Sequence, residues 1–449
     1  MAVFLGLTLA RSSHGFAQEP PCAAFGESGP AGHEDAVNNP TIPAWVLESV
    51  RELQIDDSDR QEPARFAELD LSRFPYLHSL TLHSSSDLNG VTDEELSGMK
   101  LRWASIRSLS IWSPQLSDKG LAALHECDDL GELELYADRL TGKGLIHLAG
   151  IEELTSLWLR STSLDDEDLR SLRGLVHLVS LNLSESPVSD AALPHIAALP
   201  CLEHLKLGRT CVTATGLAEI GKIRGLKSLS LPLSVDTNVA VAELRSLTQL
   251  ESFLIGFDMT DEGLQHCASY PNLKVLHLWR SHVTDDGFTR LGPLKRVEQL
   301  DLMSTKVSDG TARAIARWPK LRQLDLSDTA VTDEGLAALG GLLDLERLDL
   351  SNTQVTDRGL MHLERLDRLE VLKLYATDIS DAGLVHIAKL TNLTFLQLPS
   401  SPRITGKGLL HLKTLKRLRR LDPSFSDDDF RALREALPNL RPYKSIAPF

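Results

Sequence analysis

The chain is poor in aromatics, in positive charge and in paired cysteines, and each shortage closes off a class of function. Across 449 residues, 47 Lys and Arg against 62 Asp and Glu leave a formal charge of −15. Phosphate backbones are bound by net or locally dense cationic surface, so a nucleic-acid partner is not expected. The five cysteines, Cys22, Cys127, Cys201, Cys211 and Cys267, include no CxxC pair and are odd in number. That argues against a zinc site, a redox dithiol and a disulfide framework. No apolar run approaches the about 20 residues a membrane-spanning helix needs. The TGKG stretches at Thr141–Gly144 and Thr405–Gly408 lack the upstream Gly and the following Ser or Thr of a phosphate loop. Nucleophile-elbow, HExxH and kinase signatures are missing as well. No catalytic residue, cofactor or metal is expected, and the chain reads as non-enzymatic.

What is present is leucine in a fixed rhythm. VTDEGLAALGGLLDLERLDLSNTQ (Val331–Gln354) is followed directly by VTDRGLMHLERLDRLEVLKLYATD (Val355–Asp378). With Val331 as slot 1, Leu336, Leu339, Leu342, Leu345, Leu348 and Leu350 fill slots 6, 9, 12, 15, 18 and 20. Equivalent starts are Val91, Leu116, Leu140, Leu164, Val188, Val212, Val235, Met259, Val283, Val307, Val355, Ile379 and Ile404. The step is 24 residues except for 25 after Val91 and Ile379 and 23 after Val212. Cys127 and Cys267 occupy apolar slots, where a thiol acts as a small hydrophobe.

Two periods alternate within each unit. Slots 6, 9 and 12 mark one face of a helix, and slots 18 and 20 the buried side of a strand. Thr or Ser at slot 2 is placed to cap the helix, and Asp at slot 3 suits the positive end of its dipole. Gly at slot 5, as in Gly335, Gly359 and Gly383, is a poor helix former and points to close packing. The apolar side chains of one unit cannot offset the entropy of ordering its backbone, so units must stack. Strands prefer about 4.8 Å between neighbours and helices about 8–10 Å. An array with strands on one side therefore bends into a horseshoe with a concave parallel sheet.

The pattern LxxLxLxxT followed by [ILV]-[TS]-D-x-G-L-x-x-L resembles the leucine-rich repeat, specifically the 24-residue type of bacterial proteins and the cysteine-containing repeats of F-box proteins. The resemblance runs from about Leu77 to Leu440. It implies a ribonuclease-inhibitor-like α/β solenoid with its parallel sheet on the concave face and short helices on the convex face. Thr329, Thr353 and Thr377 stand where Asn-bearing subclasses have Asn. No F-box-like segment lies upstream, so a ubiquitin-ligase role does not carry over.

The ends depart from the rhythm. Residues 1–17 are read as a signal peptide or a disordered leader: an apolar stretch leads to Gly15-Phe16-Ala17, but the basic start is missing. The first reading makes the protein secreted or periplasmic, the second cytoplasmic. Residues 18–40, rich in Pro, Gly and acidic residues, read as disordered. Residues 41–90 read as an N-terminal cap, with IPAWVLESVREL as a helix and Leu77, Leu80 and Leu82 as a partial first unit. The array spans 91–424, and 425–449 reads as a C-terminal cap.

Slots 17, 19 and 21 flank the buried strand leucines and must face the concave side. Trp112, Tyr136, Trp158 and Arg160 fall there in three successive units, in the residue types that interface hot spots favour. Trp279 and Met303 form a smaller candidate. Asp301, Asp325 and Asp349 share slot 19 in consecutive units, a like-charge column that a cationic partner would relieve, with Arg347 and Lys373 close enough to neutralise part of it. The histidines at slot 8 (His147, His195, His266, His362, His386, His411) reflect duplicated wording, and the basic run Lys413–Arg420 reads as a solvated face. The expectation is a monomeric scaffold that binds a protein on its concave surface. The alternatives are a substrate-receptor or regulatory subunit of an enzyme complex, or a secreted or cell-surface effector binding an envelope or host ligand, sugars included.

Overall fold

Alternation of small or polar residues with leucine makes the strands: in Ser108-Leu109-Ser110-Ile111-Trp112, Leu109 and Ile111 are buried and the other three lie half-buried on the opposite face. The computed structural model describes residues 49–56, 70–83, 91–99, 103–160, 163–254, 258–422 and 427–442. They fall in two compact units, Met1–Ile220 and Gly221–Phe449.

The first unit holds β1 (Glu52–Asp56), β2 (Ser79–His83), β3 (Ser108–Trp112), β4 (Glu132–Tyr136), β5 (Ser156–Arg160), β6 (Ser180–Asn182) and β7 (His204–Lys206). Each pairs in parallel with the next, leucine beside leucine: Leu80, Leu109, Leu133, Leu157, Leu181 and Leu205 form one row. The second unit repeats the scheme with β8 (Ser228–Ser230), β9 (Ser252–Leu254), β10 (Val275–His277), β11 (Gln299–Asp301), β12 (Gln323–Asp325), β13 (Arg347–Asp349), β14 (Val371–Lys373), β15 (Phe395–Gln397), β16 (Arg420–Asp422) and β17 (Arg441–Pro442). These too are parallel and in register, with Leu300, Leu324, Leu348, Leu372, Leu396 and Leu421 in one row. Parallel neighbours need a crossover between them, and one short helix per repeat supplies it.

Several of those helices are wholly or partly of the tight i→i+3 kind, such as Ala122–Glu126 and Asp168–Gly174. Residues three apart eclipse in that geometry. The spacing of slots 6, 9 and 12 matches it: Leu121, Leu124 and Cys127 are all fully buried. Burial pushes the thiols of Cys127 and Cys267 up to about 12, so both remain protonated and inert. Every slot-1 residue from Val91 to Ile404 is buried. Among the described residues no helix is long and apolar enough to cross a membrane.

The N-terminal stretch differs from the expected cap helix. Ser49 is helical, but Glu52 and Leu53 belong to strand β1, because Val50, Leu53 and Ile55 already follow the VxxLxL wording of a repeat and are buried. Trp45 lies outside the described residues, as do the leader and residues 18–40. At the other end, helix Asp427–Ala436 and strand β17 form a further half-repeat, with Leu433, Leu437 and Leu440 buried.

The polar slots do more than cap helices. Slot-2 hydroxyls do accept from their own helix, as Thr332 does from the Glu334 N–H at 3.2 Å. The slot-3 aspartate, however, turns to the following repeat. Asp309 accepts the Thr332 N–H at 2.8 Å and its hydroxyl at 2.7 Å, and Asp333 accepts those of Thr356 at 2.8 and 2.6 Å. Asp93–Ser117, Asp118–Thr141, Asp166–Ser189 and Asp190–Thr213 do the same in the first unit. Asp261–Thr284, Asp285–Ser308, Asp357–Ser380 and Asp381–Thr405 do so in the second, where Asn238 stands in for Asp toward Thr260. Charge-assisted bonds of this kind are the strong ones. Thr92, at the first full repeat, takes a carboxylate from its own helix instead, through a capping box with Glu95.

The latch explains the slot-5 glycine. A Cβ on Gly359 would overlap the Asp333 carboxylate and come within 3.1 Å of Leu336 Cδ2. Slot 23 explains the missing asparagine: Thr305, Thr329, Thr353 and Thr377 are buried and return their hydroxyls to the slot-20 carbonyl of their own repeat at 2.6–2.7 Å. Among the described residues, slot 22 takes the left-handed conformation at seven non-glycine residues, including Asp328, Asn352 and Ala376 at φ 54–56°. That bend lets the Asn352 N–H reach the Tyr375 carbonyl of the next repeat at 2.7 Å, which continues the ladder beyond the strand.

Asp285 accepts both N–H and hydroxyl from Ser308 and from Thr311. Burial works to raise its carboxyl, but those four bonds together hold it below the ordinary value of 3.8. Its contribution is therefore present above that value and is lost as pH falls through the depressed pKa. Asp285→Ala is expected to destabilise the second unit by about 2–3 kcal/mol in urea unfolding at pH 7, with the gap closing in acid. Gly359→Ala, which would gain about 1 kcal/mol in an exposed helix, is expected to lose about 1–3 kcal/mol instead; a stabilised variant would refute the latch geometry.

Candidate functional site

The strand register decides which outward side chains meet. In the first unit, His83, Trp112, Tyr136 and Arg160 are successive partners in one row, and Glu134, Trp158, Asn182 and Lys206 in the row beside it. All four residues singled out from the sequence here thus come together. Trp112 and Tyr136 are stacked, with centroids 5.5 Å apart and planes 11° from parallel. His83, which the sequence reading passed over, packs edge-on against Trp112 at 5.2 Å. The Arg160 guanidinium lies 5.5 Å from the Trp112 ring and Lys206 Nζ 5.0 Å from that of Trp158. Such contacts fix flat side chains in place before any ligand arrives.

Polar bonds hold the cluster from its flanks. Trp112 Nε1 donates to Ser110 Oγ at 3.1 Å, and that hydroxyl donates to Glu134 at 3.1 Å. Arg160 and Arg209 each reach Glu185 at 3.0 Å, and the hydrogen bond from Arg160, with the help of Arg209, keeps the Glu185 carboxyl below its usual range. Trp112, Tyr136, Trp158 and Arg160 are all half-buried, each with part of its surface left open.

The second unit carries a different face. Asp301, Asp325 and Asp349 are direct register partners on β11, β12 and β13, so the carboxylate column inferred from spacing is real. A histidine and a lysine bracket it: His277 Nδ1 lies 3.6 Å from Asp301 and Lys373 Nζ 3.0 Å from Asp349. Lys373 was legible in the sequence. His277 was missed, although it occupies slot 19 one repeat earlier, and Arg347 has no ion-pair partner among the described residues. Asp325, in the middle, has only the Ser327 N–H at 2.9 Å and hydroxyl at 2.5 Å. Burial first, then the Asp349 charge and more weakly that of Asp301, push its carboxyl up to about 6 against the Ser327 bonds. Trp279 stands half-buried with the Arg280 guanidinium 5.8 Å from its ring. Met303 is half-buried in the next repeat, and Tyr375 is 55% exposed. No group of three or more His, Cys, Asp or Glu among the described residues could hold a metal ion.

One short parallel strand and one short helix per repeat, with the polar side chains of each strand set out in rows, define an α/β solenoid repeat protein. That is the leucine-rich-repeat fold, and the family model for the leucine-rich repeat matches residues 319–340 and 343–366 of this chain. The chain is similar in structure to a leucine-rich repeat protein of Leptospira interrogans, at 17% identity and a TM-score of 0.51 over 86% of this chain and 100% of that one. An internalin from Listeria monocytogenes is 19% identical over 87% of this chain and 94% of its own, at a TM-score of 0.42. A plant peptide hormone receptor, solved in complex with RGF2, is 14% identical over 83% of this chain and 74% of its own, at a TM-score of 0.35. No curated protein sequence matches the chain.

Asp325 supplies a pH test. Its carboxyl is raised in the folded state, so the stability it withholds is present below the ordinary 3.8 and lost as pH rises through about 6. Keeping it ionised at pH 7 costs at most about 3 kcal/mol, trimmed by solvent at this half-buried site to about 1–2 kcal/mol. Asp325→Asn is expected to stabilise the protein by that amount at pH 7 and by nothing measurable at pH 4, as read from paired urea titrations.

Proposed function

We propose that the protein is a binding scaffold that takes a protein partner on the outward face of its parallel sheet and performs no chemistry of its own. The observation that carries this reading is the stacked Trp112–Tyr136 pair with Arg160, Trp158 and Lys206 around it. Aromatic and arginine side chains already locked against one another lose little entropy when a partner covers them, and that is what makes a hot spot. Bonds across the strands fix their spacing, so a partner meets a preset row of side chains.

The column Asp301–Asp325–Asp349 supports a second contact of opposite character within the same function. A lysine or arginine of the partner placed over Asp325 would relieve the repulsion that raises its pKa. Where the encounter takes place turns on the first 17 residues: export with cleavage would give a mature chain beginning near Gln18, outside the cytoplasm.

Capture of partners from the protein's native lysate, followed by mass spectrometry, tests the reading. Wild-type protein is expected to retain a specific partner that the Trp112→Ala/Tyr136→Ala/Trp158→Ala variant loses, with affinity falling about 1,000-fold if two hot spots of about 2 kcal/mol are removed. Unchanged capture by a variant with an unchanged circular-dichroism spectrum removes this face from the function.

A further inference from the structure

The helix side of the last repeats in the second unit differs from the other described repeats. Slot 7 points out of the core, and elsewhere it holds residues such as Ser97, Arg170, Gln265, Thr289 and Arg313, with one isolated exposed aliphatic, Ile146, in the first unit. In three consecutive repeats it holds Met361, Val385 and Leu410, which are 53%, 43% and 40% exposed. They sit on the neighbouring helical segments Asp357–Leu363, Asp381–Ile387 and Gly406–Thr414. Leu360, Leu384 and Leu409, one residue earlier in each, are buried against the core.

Cations surround this row. Residues 404–419 contain five Lys and Arg (Lys407, Lys413, Lys416, Arg417, Arg419) and no Asp or Glu, within a chain of net charge −15. Lys407, Leu410 and Lys413 are three apart along one turn-by-turn line, and Arg358 precedes Met361 by three in the same way. Lys407, Lys413 and Arg417 are exposed, and none has an ion-pair partner among the described residues. Lys389, by contrast, is paired with Glu364 at 2.7 Å.

We propose that this face docks peripherally on an anionic lipid bilayer. Charge complementarity selects an anionic partner, and single aliphatic side chains spaced one per helix select a yielding one. A bilayer interface accepts isolated protrusions without a matching groove, while lysine and arginine stems lie along the apolar boundary and keep their charges at the phosphate level. A cluster of four to eight such cations is the size that anionic leaflets retain. The contact lies on the helix side, so it leaves the sheet face open to a partner.

Cosedimentation of the full chain with vesicles tests this. Vesicles of phosphatidylcholine containing about 30 mol% phosphatidylserine are compared with pure phosphatidylcholine, at about 0.05 M and about 0.3 M salt. Wild-type protein is expected to bind the anionic vesicles at low salt, at least about tenfold more weakly at high salt, and the neutral ones not measurably. Lys407→Glu/Lys413→Glu/Arg417→Glu is expected to weaken binding about 100-fold, and Met361→Ser/Val385→Ser/Leu410→Ser about tenfold or more. All six positions are exposed, so both variants should keep the wild-type circular-dichroism spectrum. The Trp112→Ala/Tyr136→Ala/Trp158→Ala variant should bind vesicles as wild type does, which separates this surface from the sheet face. No binding to anionic vesicles, equal binding by the charge-reversed variant, or binding to poly-glutamate with none to vesicles would each overturn the proposal, the last assigning the patch to an acidic protein.

Discussion

Leucine rows hold the repeats together, but a hydrophobic face has no preferred register. The bond from the slot-3 carboxylate to the next repeat's slot-2 N–H and hydroxyl supplies one. It is short, charge-assisted and directional, and it recurs in nearly every repeat, from Asp93–Ser117 to Asp381–Thr405. A slip of one residue would strand a half-buried carboxylate and leave a helix N-terminus uncapped, which is far more costly than a small loss of apolar contact. The glycine at slot 5, the short helices and the fixed strand register all conform to this bond.

With register fixed on the helix side, the sheet face becomes a set of rows on which any side chain can be written. The two units use it differently. The first stacks Trp112 on Tyr136 and draws cations onto the rings; the second lines up three aspartates with His277 and Lys373 at the ends. Neither arrangement is the most stable one available. Half-exposed aromatics forgo burial, and adjacent carboxylates repel. Residues retained at a cost to stability belong to recognition more readily than to folding.

Much of this was legible beforehand because the repeat makes each inference many times over. Slot 1 alone predicts the burial of residues from Val91 to Ile404, and the alternation at slots 18 and 20 predicts the outward rows that bring Asp301, Asp325 and Asp349 together. The ends were harder. Val50, Leu53 and Ile55 carry a repeat's strand wording, but a single copy beside an amphipathic stretch reads as helix. The latch was missed for a different reason: Asp after Thr or Ser is also what a lone helix wants at its start. Only the joint recurrence of Asp at slot 3, a hydroxyl at the next slot 2 and glycine at slot 5 distinguishes a bond between repeats from a local cap. His83 and His277 escaped notice because a histidine on a strand acquires meaning only from its cross-strand neighbour.

A bond that most copies both receive from behind and pass forward makes the segment Val331–Gln354 interchangeable with Val355–Asp378. Its termini have no such freedom: Thr92 closes on its own Glu95, and Gly406, where an aspartate would sit, has nothing to hand on. The array can therefore lengthen or shorten in its interior by whole copies without inventing any new junction, while its two ends stay as they are. Recognition can diverge by duplication, each added copy bringing one blank strand.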